Sequence, residues 1–142
     1  MTEFAFAHDR VLVDTAATWA YYNAHGDLEN RCGCAYCRNF RAALPGLPGE
    51  VRRFLELLGL TLERPAEIME WCREDDGRHW YTALYHIAGE LREAGEQPVE
   101  IAPEVTVSFL ADKGPFLEEF PEPFFQLFLD VRLPWLLDEP DD

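Results

Sequence analysis

Two stretches near the C-terminus, "EVTVSFL" at 104–110 and "FFQLFLDVRL" at 124–133, place an apolar side chain at every second position. That period belongs to a pleated strand, whose alternate side chains share one face. Val105, Val107 and Phe109 in the first run, and Phe125, Leu127, Leu129 and Val131 in the second, therefore point inward. Phe109, Phe125, Leu127 and Leu129 are the expected core.

Similar signals extend upstream. "AEIMEWC" and "RHWYTALYHIAGEL" read as two strands joined through Asp76-Gly77, a pair that tolerates the positive φ angles of a tight turn. "RVLVD" at 10–14 is a further β-rich run, and "REAGEQP" and "ADKGP" carry turn residues. The helical period is confined to the first half. Tyr36, Phe40, Ala43 and Leu44 recur at spacings of three and four. "PGLP" interrupts them, and Pro48 opens a second helix in which Val51, Phe54, Leu55 and Leu58 share a face until Gly59 stops it. Packed as a hairpin, these helices would bury Phe40, Leu44, Phe54 and Leu58 together. "TAATWAYYNAHG" is expected to form a short helix capped by Asp14 or Thr15, ending at Gly26, with Trp19 and Tyr22 on its buried side; a second strand is the alternative.

Helices gathered early and hairpins gathered late give an α+β fold. The expected architecture is a mainly antiparallel sheet of four to five strands with two to three helices on one face. At 142 residues the chain fits one globular domain over 1–142, with "DEPDD" at 138–142 as an acidic tail that frays.

Charge narrows the function classes. The net charge is −15, unevenly spread: from Glu93 onward thirteen acids face only Lys113 and Arg132. Residues 31–53 invert this, with Arg31, Arg38, Arg41, Arg52 and Arg53 against Glu50 alone. Phosphate backbones and anionic membranes are repelled by such a chain outside that island, so nucleic acid and membrane are set aside as partners. "MTEFAFAHDRVLVD" lacks the basic start and apolar run of a secretory signal, and "PFFQLFLDVRLPWLL" is too short and too charged to span a bilayer. The expected compartment is the cytoplasm, where thiols stay reduced.

That matters because "RCGCAYCRNF" crowds three of the four cysteines into six positions. Cys34-x-x-Cys37 has the spacing of two thiolates sharing one zinc at a helix start. Cys32, two residues earlier on an extended lead-in, projects to the side of Cys34, and Gly33 lets the backbone fold back. Sulfur donors select zinc over magnesium or calcium, and the helix N-terminus and nearby arginines favour ionised sulfur. A closed site needs a fourth ligand. His25 is preferred, with Cys72, His79 and His86 as alternatives; three ligands and a water would instead make a catalytic zinc. Inert buried thiols and a redox dithiol are the competing readings. His79 and His86, seven apart on one strand, face opposite ways, and "YHIAGE" suits a partly buried, hydrogen-bonded histidine. No Gly-rich phosphate loop, G-x-S-x-G elbow or HExxH helix is present.

"RCGCAYCRNFRAALPGLP", "YTALYHIAGE" and "LPWLLDEP" together resemble a family of small, acidic, uncharacterised bacterial proteins that share a C-x-C-x-x-C-R-N-F-like segment. The resemblance spans about Trp19 to Pro140 and implies only that Cys32, Cys34 and Cys37 are the residues to test first; Cys72 falls outside the shared pattern. The expected function is a non-enzymatic zinc-binding domain with a structural metal, acting on a basic protein partner through its acidic half. A metal-dependent or thiol-based enzyme is the first alternative, an acidic nucleic-acid mimic the second.

Overall fold

The computed structural model describes residues 1–25, 32–111 and 117–141. Its organising element is β4 (His79–Glu93), a strand of fifteen residues, long enough to serve different neighbours along its length. On one side it pairs antiparallel with β7 (Phe124–Leu133), from His79 opposite Leu133 to Ala88 opposite Phe124. On the other side its first half pairs with β3 (Glu67–Arg73) and its last residues pair with β2 (Asp9–Val13). β1 (Thr2–Phe6) extends β2, while β6 (Val105–Leu110) and then β5 (Val99–Ala102) extend β7. The described residues thus form a seven-stranded antiparallel sheet with three helices, α1 (Thr15–Ala24), α2 (Ala35–Ala43) and α3 (Gly49–Leu57).

The α+β reading holds, with more strands than the four to five expected. The two unforeseen ones, β1 and β5, are short edge strands whose alternation is too brief to register. The expected inward residues are buried: Phe109, Phe125, Leu127, Leu129 and Val131 join Tyr81, Ala83, Tyr85 and Ile87 on one face of the sheet. Phe40 of α2 and Val51 and Leu55 of α3 complete that core. The sheet curls, so that Phe6 on the β1 edge contacts both Phe54 of α3 and Phe109 of β6.

A strand that changes partner leaves a gap, and here it spans residues 85–88 of β4. α1 fills it from the edge. Tyr22 Oη accepts a hydrogen bond from His86 N (2.8 Å) and donates one to His86 O (3.2 Å). Thr18 Oγ1 accepts from Ala88 N (3.0 Å) and donates to Asp14 O (2.8 Å). Backbone bonds Ala66 N→Leu84 O and Asp14 N→Ala88 O close the two ends. Every backbone group on that stretch of edge is thereby satisfied, as burial requires. The switch itself needs Gly89, where φ is +138° and a Cβ would lie 1.9 Å from Leu12 O.

Three local expectations are corrected. Trp19 is not on the buried side of α1: it is 55% exposed, and Tyr21 shares the buried side with Tyr22. α1 is capped by Asp14, whose carboxylate accepts from Ala17 N, and its last residue is Ala24 with His25 as C-cap; Gly26, the expected stop, lies outside the described residues, as do Arg31, Asp112 and Lys113. Pro48 is the residue before α3 and not within its first turn. Glu139 and Asp141, within the expected free tail, are bonded to the body of the protein, as the next section describes.

Tyr22→Phe removes the hydroxyl but keeps the ring, leaving His86 N–H and C=O without their partner. The expected cost is about 1–3 kcal/mol in denaturant unfolding. Phe125→Ala, which empties a core site, should cost roughly 3–5 kcal/mol.

Candidate metal centre

Cys34 is the N-cap of α2, with extended φ and ψ of −67° and 162°, and Cys37 follows one turn later inside the helix. The Cys34 sulfur thus lies beside the unsatisfied N–H groups that open any helix, those of Tyr36 and Cys37 among them. Cys32 joins them. The three sulfurs lie within 4.8 Å of one another, and Cys32 Sγ and Cys34 Sγ are 3.3 Å apart. Zinc–sulfur bonds of about 2.3 Å in a tetrahedron place neighbouring sulfurs about 3.8 Å apart, so small side-chain rotations bring all three to one ion.

The lead-in is clamped by the helix it precedes. Arg38 Nε donates to Gly33 O (2.9 Å) and Arg41 Nη2 donates to Cys32 O (3.0 Å). Two guanidinium groups therefore fix two consecutive carbonyls of the lead-in. Cys32 and Cys34 are exposed, whereas Cys37 is buried against the core.

The sulfurs are not equivalent. Partial burial pushes the Cys34 thiol up, but the backbone N–H groups of Cys37 and Tyr36 and the sulfurs of Cys32 and Cys37 outweigh it and hold the group below its usual range. These N–H groups act as aligned dipoles, since the sulfur makes no capping hydrogen bond of normal geometry. Burial raises the Cys37 thiol, and its sulfur neighbours raise it further.

Behind the cysteines lies a polar network that reaches the C-terminus. Asn39, fully buried on α2, donates from Nδ2 to Tyr81 Oη (3.3 Å) and Pro134 O (3.1 Å), and its Oδ1 accepts from Leu136 N (2.7 Å). Tyr81 Oη donates to Tyr36 O (2.8 Å), between the two helical cysteines. Burial drives the Tyr81 phenol up to about 12; Asn39 opposes this, and Glu70, Cys37 and Cys34 reinforce it. Glu139, placed by sequence in a frayed tail, receives a bidentate bond from Arg38 (2.6 and 3.0 Å), while its carbonyl accepts from Trp135 Nε1 (2.8 Å). Asp141 meets Arg73 at 3.2 Å and His79 Nε2 at 3.0 Å. Its carboxyl lies below the usual range, chiefly through His79.

The four fourth-ligand candidates occupy different settings. His79 is buried with a carboxylate on each ring nitrogen, Glu70 at Nδ1 (2.8 Å) and Asp141 at Nε2 (3.0 Å). His86 is fully buried, more so than expected, and packs its ring on Phe124 and Phe120. Cys72 is exposed on β3, in register with Trp80. His25 stacks on Tyr21, and its Nδ1 lies 2.8 Å from Tyr21 O. A carbonyl only accepts, so Nδ1 carries a proton, and in the neutral ring Nε2 is then the atom with the lone pair. Among the described residues the clustered group comprises Cys32, Cys34 and Cys37 without any of these four.

Asn39, Glu139 and Asp141 were not anticipated. Asn39 did leave a trace: it sits between Tyr36 and Phe40 on the buried side of α2, where an amide demands partners. Comparison with protein-family models, with curated proteins and with solved structures finds no match for this chain.

Burial holds His86 in its neutral form, with its pKa lowered from 6.5 to about 4. The unfolded chain then binds the proton more readily than the folded one. The stability linked to neutral His86 is complete above pH 6.5, and it is lost as pH falls to about 4, at most about 3 kcal/mol. In unfolding measured across that window, His86→Gln should flatten the acid slope of the parent.

Proposed function

We propose that the chain is a zinc-binding domain in which Cys32, Cys34 and Cys37 hold a structural ion. The convergence of three sulfurs within 4.8 Å at a helix start carries this reading. His25 is the proposed fourth ligand. Its protonated Nδ1, facing Tyr21 O, is the state that a zinc-bound imidazole adopts when Nε2 is the donor atom. His79 has both nitrogens engaged, and His86 lies on the opposite face of β4 from His79. Bound zinc would join the lead-in, α2 and the end of α1 into one rigid corner.

The domain then acts by binding a basic protein partner. Glu96, Glu100, Glu118, Glu119 and Glu122 are exposed in the acidic second half and supply long-range attraction to positive charge. No helix among the described residues is long and apolar enough to cross a membrane. The resemblance to the small acidic bacterial family, and a cytoplasmic setting in which the thiols stay reduced, belong to this same proposal.

A second reading rests on the contrast between the exposed Cys34, held below its usual range, and the buried Cys37, raised above it. That pairing suits a thiol enzyme, with Cys34 attacking and Cys37 resolving.

Elemental analysis of the purified chain should find about one zinc per molecule. Cys34→Ser should lose the metal and, with free zinc near a thousand times its Kd for the parent, about 4 kcal/mol of stability, or roughly 10 °C in Tm. A parent chain without metal, together with a Cys34→Ser variant of unchanged Tm, would overturn the zinc reading and favour the thiol one.

A further inference from the structure

We propose that Cys32 and Cys34 form a sulfur-oxidation site at which a hydroperoxide joins them in a disulfide, removing two of the three sulfur donors from the metal. The loss of metal rests on the zinc reading above; the disulfide does not.

Three features select this pair. The two sulfurs are in contact at 3.3 Å and exposed, whereas Cys37 is buried. The residue between them is Gly33, with nothing within 4 Å of where a Cβ would stand, so a small oxidant meets no wall on that side. Arg38 and Arg41 hold the carbonyls of Gly33 and Cys32, so the loop is fixed with its sulfurs already side by side. The backbone permits closure. Two residues of extended chain separate the Cα atoms by at most about 7 Å, near the upper limit of about 6.8 Å for a disulfide, and a slight fold at Gly33 brings them inside it.

The chemistry balances with one hydroperoxide. A sulfur of the pair attacks the peroxide O–O bond, taking one oxygen as a sulfenic acid while the other leaves as an alcohol. The second sulfur attacks the first, the S–S bond forms and the sulfenic oxygen departs as water. Two thiols and one ROOH give one disulfide, one ROH and one H₂O, a two-electron oxidation of sulfur. A ring closed over a single residue is strained and returns readily to dithiol by exchange with a small thiol. The metal, left with Cys37 and its remaining ligands, is released.

The test treats the full zinc-loaded chain with one equivalent of hydrogen peroxide in the presence of a chromogenic zinc chelator. Loss of two thiols, a mass decrease of two hydrogens, zinc appearing in the chelator and reversal by dithiothreitol are expected. Differential alkylation should leave Cys37 and Cys72 as the cysteines still modifiable after denaturation. Cys37→Ser should still form the disulfide, and Cys32→Ser should not. A link through Cys37 or Cys72, sulfinic acid without a disulfide, or unchanged thiols overturns the proposal. The same alkylation applied to metal-free chain decides the disulfide even where the zinc reading fails. A disulfide that forms while zinc stays bound overturns the release step alone.

Discussion

The hydroxyl of Tyr22 stands in for a strand that is not there. Where β4 passes from β3 to β2, its outward backbone groups would lie buried without partners, and Tyr22 and Thr18 supply them from α1. An unpaired buried amide costs about 1–3 kcal/mol, so a sheet that switches neighbours along one strand depends on such plugs. The consequence is positional. Because α1 must lie against that edge, its C-terminal residue pair, Ala24 and His25, and the stacked ring of Tyr21 have settled places before any metal is considered.

A comparable constraint fixes α2. Asn39 is buried on the helix face that meets β4 and uses its whole amide, donating to Tyr81 Oη and Pro134 O and accepting from Leu136 N. Its side chain thus binds the backbone just beyond β7 as a neighbouring strand would. α2 cannot slide or rotate without breaking these bonds, and Cys34 and Cys37 ride on its first turn. The sulfurs are placed by a core amide several residues away, with Arg38 and Arg41 aligning the lead-in from the solvent side.

What was legible in the sequence follows from the range of the interactions involved. Alternation in 105–110 and 124–133 reports burial of one face, a property of each strand by itself, and both strands lie where it places them. The cysteine spacing is equally local, and the three sulfurs do meet. Trp19 departs from its expected place because α1 buries little beyond Thr18, Tyr21 and Tyr22, and an apolar ring beside so narrow a stripe is indistinguishable from it in sequence. β1 and β5 are strands because β2 and β6 offer them an edge, and no local period of four or five residues announces that. The Asn39 network, with partners 42 to 97 residues away, is visible only once the sheet has brought them together.

The same distinction resolves the charge pattern. Taken along the chain, five arginines between 31 and 53 and the acidic end look like two separate features, a basic island and a solvating tail. In space part of the one meets part of the other. Glu139 forms a bidentate pair with Arg38, and Asp141 reaches Arg73 and His79. The Arg38–Glu139 pair is exposed and contributes little stability by itself, so its importance is geometric. Arg38 serves Glu139 with its two terminal nitrogens and Gly33 O with Nε, a planar fork committed on both edges. The tail carboxylate therefore sets the plane of the guanidinium, and the guanidinium sets the carbonyl of the residue between Cys32 and Cys34. An acidic segment that composition alone assigns to solubility thus reaches the sulfur loop through one side chain.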